Sequence, residues 1–246
     1  MSDSAPGRSN RAAYFTSRLG YRFLWWVFYS LIRIAYRYRP TTRSDFPKSG
    51  PTIVAVNHLH MTDPAAVSPI LPRQTVTLAA GKWRRSFVVD AILRVAGVIY
   101  VRRGEIDREA LRQCQHVLAQ EGVLAIAPEG TRSRSGAMQQ AKSGIAYLAL
   151  RSNAVIVPVA IAGTERLRDW LRLKRPTLRV VMGEPFRLPN PGSRPSAAEL
   201  QHLADLVMIK LGLELPESYR GYYAKEIAAV ESGQSHVLDE LLPAAP

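Results

Sequence analysis

Two hydrophobic rhythms alternate through most of the chain. Short runs of apolar, largely β-branched residues occupy positions 52–56, 75–79, 98–101, 123–127, 155–161 and 178–182. Between several of them, apolar residues return every three or four positions, at 64–70, 86–95, 106–120 and 138–151. The third of these is the clearest: Ile106, Ala110, Leu111, Cys114, Val117 and Leu118 share one helical face, and Gly122 supplies a stop. Unbroken apolar runs suit strands covered on both faces. Strands alternating with helices predict an α/β domain whose sheet is mixed and largely parallel, flanked by helices. After a Pro/Gly loop at 188–195, Ser196 with Glu199 three residues on predicts a helix opened by a capping box.

The first 44 residues follow a different rule. Residues 1–10 are polar and are expected to be disordered. Tyr14 to Tyr38 then holds ten of the chain's twenty aromatic residues, and Arg39-Pro40 is expected to end this helical region. The longest uninterrupted apolar run, Phe23 to Ile32, is about half of the roughly 20 residues a spanning helix needs. The segment also lacks the small-residue cleavage site of a secretory signal. We therefore expect an aromatic, basic helical region at a membrane interface over 1–44, the main domain over 45–230 and a frayed tail over 231–246. A helix docked on the main domain is the alternative reading of the first segment.

Charge supports the interface reading. The 246 residues carry 33 Lys and Arg against 20 Asp and Glu, a net charge of +13. Eight arginines and one acid lie within residues 1–44, so that segment supplies +7 of it. Arginine interleaved with Trp and Tyr suits a bilayer surface, where rings lie at headgroup depth and guanidinium groups meet lipid phosphates. The basic residues cluster with aromatics instead of lining a polar helix, and no nucleic-acid module is visible, so no nucleic-acid partner is expected. The single cysteine, Cys114, excludes an intramolecular disulfide and a cysteine cluster for zinc.

The chemistry-bearing residues gather where the strands are expected to end. After the first run comes Asn57-His58-Leu59-His60-Met61-Thr62-Asp63-Pro64. Pro64 suits the first position of a helix. The intervening turn can fold the Asp63 carboxylate onto one nitrogen of His58, leaving the other nitrogen to take a proton. A structural role for the pair stays open at this point, as does a metal site. A metallo-hydrolase motif of the His-x-His-x-Asp-His kind, however, would need Asp at position 62 and His at 63. Three further elements follow. Ala127-Pro128-Glu129-Gly130-Thr131-Arg132-Ser133 offers backbone N–H groups at a Gly-Thr turn and a guanidinium fork suited to phosphate. Gly97 to Arg103 carries paired arginines to another strand end, and Lys82 follows yet another strand. Val157-Pro158-Val159 places a proline in a buried strand, which predicts an edge, a bulge or a bend.

In this order the four elements resemble the glycerolipid acyltransferase family, in particular bacterial 1-acyl-glycerol-3-phosphate acyltransferases. Asn57, His58 and Asp63 match the family's Asn-His-x4-Asp motif; Gly97, Ile99 and Arg103 match its Gly-x-Ile-x3-Arg pattern. Pro128 to Ser133 match its Pro-Glu-Gly-Thr-Arg-Ser core, and Val157 to Val159 its Val-Pro-Val pattern. Softer matches are Lys142, Gly144, Gly183 and Pro185, and the likeness covers about residues 51–185. Two positions depart from the family habit: His60, where serine is common, and Ala127, where an aromatic is usual.

The resemblance implies a glycerol-3-phosphate acyltransferase-like fold and an enzyme that moves a fatty acyl group from acyl-CoA or acyl carrier protein to a lysophospholipid hydroxyl. His58 would act as general base, oriented by Asp63. The substrate would meet Asn57, Lys82, Arg103, Glu129, Gly130, Thr131, Arg132 and Pro158, with Glu129 bracing the cations or touching an acceptor hydroxyl. No metal or other cofactor is implied. The expected location is the cytoplasmic face of the cell membrane, peripheral or monotopic, against an anionic lipid surface. Another lysophospholipid, a glycolipid or an aminolipid as acceptor, and a catalytically silent membrane-binding protein, are the competing readings.

Overall fold

A computed structural model describes residues 18–102, 107–190 and 192–243. In chain order the main elements are α1 (Arg18–Ala35), β1 (Arg37–Thr42), β2 (Thr52–Val56), α2 (Asp63–Val67), β3 (Thr75–Ala80), α3 (Phe87–Ala96), β4 (Val98–Val101), α4 (Arg108–Ala119), β5 (Val123–Ile126), α5 (Gly144–Ser152), β6 (Val155–Ala162), β7 (Thr177–Met182), β8 (Phe186–Arg187), α6 (Ala197–Gly212), α7 (Ala224–Glu231) and β9 (Leu242–Pro243). The sheet runs β1-β7-β6-β2-β5-β3-β4. Strands β6, β2, β5, β3 and β4 are mutually parallel; β7 is antiparallel to β6, and β1 is parallel to β7. This is the mixed, largely parallel α/β sheet that the hydrophobic pattern predicts.

The apolar runs are buried on both faces. In β2, Ile53 and Ala55 join the core beneath α4, α5 and α6, whereas Val54 joins a second core with Ala66, Val67, Ile32 and Tyr36. β6 divides in the same way, Ile156 and Ala160 toward the first core and Val157, Val159 and Ile161 toward the second. Each such Val or Ile side chain contributes about 1.5–3 kcal/mol by leaving water. That is why these two central strands contain no alternating polar positions.

Four local expectations are corrected. Residues 37–42, expected to lie in a helical region and a break ahead of the domain, instead add edge strand β1, while Leu242–Pro243, within the expected frayed tail, pair with β8. Pro40 is tolerated in β1 because Arg37 donates to the carbonyl of Pro176, just before β7, and Arg43 to that of Met182, so the even-numbered Pro40 faces away from β7, where no further strand pairs among the described residues. The helix expected over 138–151 begins only at Gly144. Residues 138–142 spend their N–H groups elsewhere: Met138 donates to the Tyr219 carbonyl, Ala141 to the Tyr223 hydroxyl and Lys142 to the Pro128 carbonyl. Pro158, finally, marks neither an edge nor a site surface. It is buried in β6, between β2 and β7. β8 pairs with β6 at Ile156 and β7 pairs from Val159 onward, so Pro158 faces the gap where the chain passes between them. There its carbonyl accepts from Gly183 N, and a Cβ on Gly183 would meet the proline ring at 3.1 Å.

Candidate active site

The five parallel strands deliver their C-terminal ends to one edge of the sheet, where sites form in open α/β folds. The sheet order sets what stands there side by side: Thr164 after β6, His58 after β2, the loop 127–133 after β5, Lys82 after β3 and Arg102 after β4.

His58 and Asp63 meet as the turn chemistry predicts. His58 Nδ1 lies 2.7 Å from Asp63 Oδ2. The same carboxylate oxygen accepts the backbone N–H groups of Leu59 at 2.7 Å and His60 at 2.9 Å. Asp63 opens α2, with Pro64 in the first turn, so the carboxylate also lies at the positive end of the helix. With Nδ1–H donating to the carboxylate, Nε2 keeps its lone pair. The His58 side chain is 18% exposed and that of Asp63 only 3%, so the ring has an edge at the surface while its partner is sealed below. Such an imidazole can accept a proton from a bound hydroxyl. His60 differs. Its backbone serves Asp63, but its ring nitrogen Nδ1 lies 3.0 Å from Thr62 Oγ1. Burial holds the His60 imidazole below its ordinary range, against the opposing charge of Asp63 and with the help of Arg132. Among the described residues, no three His, Cys, Asp or Glu side chains converge as a metal site requires.

Two residues expected at the substrate hold the turn in place instead. Asn57 is 0% exposed. Its amide donates to the Ile161 carbonyl and accepts the Ile161 N–H, each at 2.8 Å, extending the β2–β6 ladder by one side-chain rung. Glu129 is 3% exposed and forms no salt bridge among the described residues. One oxygen accepts the His58 N–H at 3.0 Å and the other accepts the Gln139 N–H at 3.0 Å. Burial raises its pKa, opposed by these donors. Ser133 N also donates to the His58 carbonyl at 2.7 Å. His58 is therefore gripped at both ends of its peptide unit by the loop after β5.

Of the remaining expected contacts, Lys82, Gly130, Thr131 and Arg132 form an exposed rim. Gly130, at φ +69°, turns the loop, and a Cβ there would meet Lys142 Cε at 3.0 Å, so Lys142 lies across it. Thr131 and Arg132 follow, exposed. Lys82 is exposed at the end of β3 with its ammonium 5.4 Å from the Trp83 ring centroid. Arg102 engages Asp107 at the start of α4, and Arg103 lies outside the described residues. The pattern gave no warning of Thr164. Fully buried after β6, its hydroxyl donates to Asp63 Oδ1 at 2.6 Å. The only local signal was a hydroxyl residue following a glycine at the end of an apolar strand.

Comparison with known proteins bears on this arrangement. The profile of the family described as Acyltransferase matches residues 37–162, just over half of the chain and the part that holds β1 through β6. A 1-acyl-sn-glycerol-3-phosphate acyltransferase of Borreliella burgdorferi is 32% identical over 126 residues, 50% of each chain. The human 1-acyl-sn-glycerol-3-phosphate acyltransferase alpha is 30% identical over 120 residues, 48% of this chain and 42% of its own. The chain thus spans about half the length of these curated relatives. The crystal structure of the 1-acyl-sn-glycerophosphate acyltransferase of Thermotoga maritima shares the fold, with a TM-score of 0.59 and 17% identity over 86% of this chain and 79% of its own. With the profile covering the strand ends that carry His58 and Glu129, and β6 with its Pro158, the chain belongs to the acyltransferase family.

Proposed function

We propose that this chain transfers a fatty acyl group from acyl-CoA or acyl carrier protein to the free hydroxyl of 1-acyl-glycerol-3-phosphate, giving phosphatidic acid. The observation that carries the reading is the His58–Asp63 pair at 2.7 Å with one edge of the ring open. His58 Nε2 takes the hydroxyl proton as the oxygen attacks the thioester carbonyl, and Asp63 offsets the charge developing on the ring. The tetrahedral adduct collapses with departure of the thiolate, which leaves without a dedicated acid, so the reaction needs no metal or other cofactor. Arg132, Arg103, Lys82 and the Gly130-Thr131 backbone take the acceptor phosphate; guanidinium forks match phosphate oxygens in pairs. The activity named for both relatives supports this acceptor.

The outer surface of α1 supports delivery from a membrane. Leu19, Phe23, Trp26, Leu31 and Ile34 are exposed along it. α3 packs beside α1 and exposes Phe87, Val88, Ile92 and Val95, with Arg84 and Arg85 just before it. No helix among the described residues is long and apolar enough to cross a membrane. An apolar face rimmed by arginine lies in the plane of an anionic bilayer, and we assign the chain to a peripheral or monotopic position on the cytoplasmic face of the cell membrane.

The test is an acceptor screen with one labelled acyl-CoA and vesicles containing anionic lipid. Phosphatidic acid should be the principal product. Preferred acylation of another lysophospholipid, a glycolipid or an aminolipid would replace the acceptor but keep the chemistry. An absence of turnover with every acceptor would reduce the chain to a membrane-binding protein and end the reading.

A further inference from the structure

The Asp63 carboxylate has a second oxygen, and what holds it lies far away in sequence. Oδ2 is occupied by His58 and two backbone donors; Oδ1 accepts Thr164 Oγ1 at 2.6 Å. The Thr164 carbonyl in turn accepts the Tyr36 hydroxyl at 2.9 Å. Tyr36 and Thr164 are both 0% exposed. Tyr36 is the residue between α1 and β1, and the side chains of Trp170 and Arg175 donate to the carbonyls of Arg33, Ala35 and Tyr36 at the end of that helix. Thr164 has little freedom to move. It follows Gly163 at φ +107°, where a Cβ would stand 2.2 Å from the Thr177 carbonyl oxygen, so no other residue fits the turn that presents it.

We infer that Thr164 is a positioning residue for the reaction, fixing the plane of the Asp63 carboxylate and through it the His58 ring, and that Tyr36 couples this arrangement to the seating of α1. The inference rests on the assignment of His58 as base. A carboxylate held through one oxygen alone can rotate about its bond to Cβ. Held through both, it presents one fixed lone-pair direction to the imidazole. Because the Thr164 hydroxyl donates to an ionised group inside the protein, it is among the stronger kinds of hydrogen bond. Burial raises the Tyr36 pKa, so the phenol remains protonated and able to donate. The other titratable and charged groups around the pair are His60, Glu129, Arg132 and Glu165; the changes below leave all four in place.

The experiment compares Thr164→Val, which keeps the shape and deletes the donor, with Thr164→Ser, which keeps the donor, and with Tyr36→Phe. Thr164→Val should lower kcat roughly ten- to hundredfold while leaving both KM values within about twofold. With its carboxylate partner less well solvated, the His58 imidazolium is favoured. Its NMR titration midpoint and the acidic limb of the pH profile should therefore move up by about half a pH unit or more. Thr164→Ser should restore both. Tyr36→Phe should give a smaller loss of the same sign, absent in the Thr164→Val background, as expected for residues acting in series. A Thr164→Val protein with wild-type kcat and an unmoved His58 titration would overturn the inference. So would equal losses in the Val and Ser variants accompanied by a lowered Tm, since that marks a merely structural residue. The titration is read without turnover, so it decides the inference even if the wild-type chain fails to acylate 1-acyl-glycerol-3-phosphate and the proposed function falls.

Discussion

The turn that carries His58 and the rim that carries Arg132 stand at the same sheet edge but are built by opposite means. Behind His58, the supporting polar groups are matched within the protein: Asp63 takes four donors, Glu129 two peptide N–H groups, and Asn57 binds Ile161 through both ends of its amide. Beside the Gly130 turn, Thr131, Arg132 and Lys82 are exposed, within reach of a ligand. Proton transfer needs a geometry held to fractions of an ångström before substrate arrives. Phosphate capture tolerates long cationic side chains that order on binding, because charge attraction acts over several ångströms. The comparison teaches that buried polar residues here are spent on orientation, while the exposed cations stay available for the recognition proposed above.

The largest effect should come from breaking the ordered region at its reactive atom. His58→Ala should lower kcat by about 10²–10⁴-fold in an acyl-thioester assay, the usual worth of a positioned general base. His60→Ala should stay within about tenfold of wild type, because its ring faces Thr62. Activity surviving the first change but not the second would reverse the assignment.

Next comes Glu129→Gln, which sharpens the contrast by touching support alone. An amide can accept only one of the two peptide N–H groups, so the change should cost about 1–3 kcal/mol in urea denaturation. The pH dependence has a definite sign. Burial raises the folded-state pKa of Glu129, so the folded chain binds that proton more tightly than the unfolded one. The resulting stability is present below the ordinary glutamate range and is lost as pH rises through the raised value. The gap between wild type and Glu129→Gln should therefore narrow toward neutral pH, and a gap that widens would contradict the buried carboxyl.

On the rim, Arg132→Ala should raise the acceptor KM about tenfold with a smaller change in the donor KM; equal effects on both would remove the phosphate assignment. The smallest effect should follow Phe23→Glu with Trp26→Glu on α1. Sedimentation with anionic vesicles and activity on vesicle-borne acceptor should each fall a few-fold, with activity on dispersed acceptor retained. Removing residues 1–43 would be a poorer test, because it also deletes strand β1 and Tyr36.

Much of this was legible in order along the chain. The apolar runs at 52–56 and 98–101 coincide with β2 and β4, and the Ser196–Glu199 capping box forms as expected. The His58–Asp63 pair was legible because five residues separate its members and a short turn can close only a few ways. Asn57 and Glu129 were placed at the substrate because a motif tells which residues matter and not which way they face. Both turn inward to partners 104 and 71 residues away. The helix expected over 138–151 failed in its first turn for a similar reason: Met138 and Ala141 are buried at helical spacing, but the loop after β5 and the Tyr219–Tyr223 segment claim their backbone.

By itself the sequence determined the alternation of strands and helices, the strand ends that carry chemistry and the local meeting of His58 with Asp63. All of these depend on residues near one another in the chain, where periodicity and turn geometry act. Only the tertiary structure decided that β1 joins the sheet, that Pro158 lies in its middle, and that Thr164 and Tyr36 stand behind Asp63. Those facts depend on strand order and on hydrogen bonds reaching 101 and 128 residues along the chain, which form only once the two cores have brought the strands together.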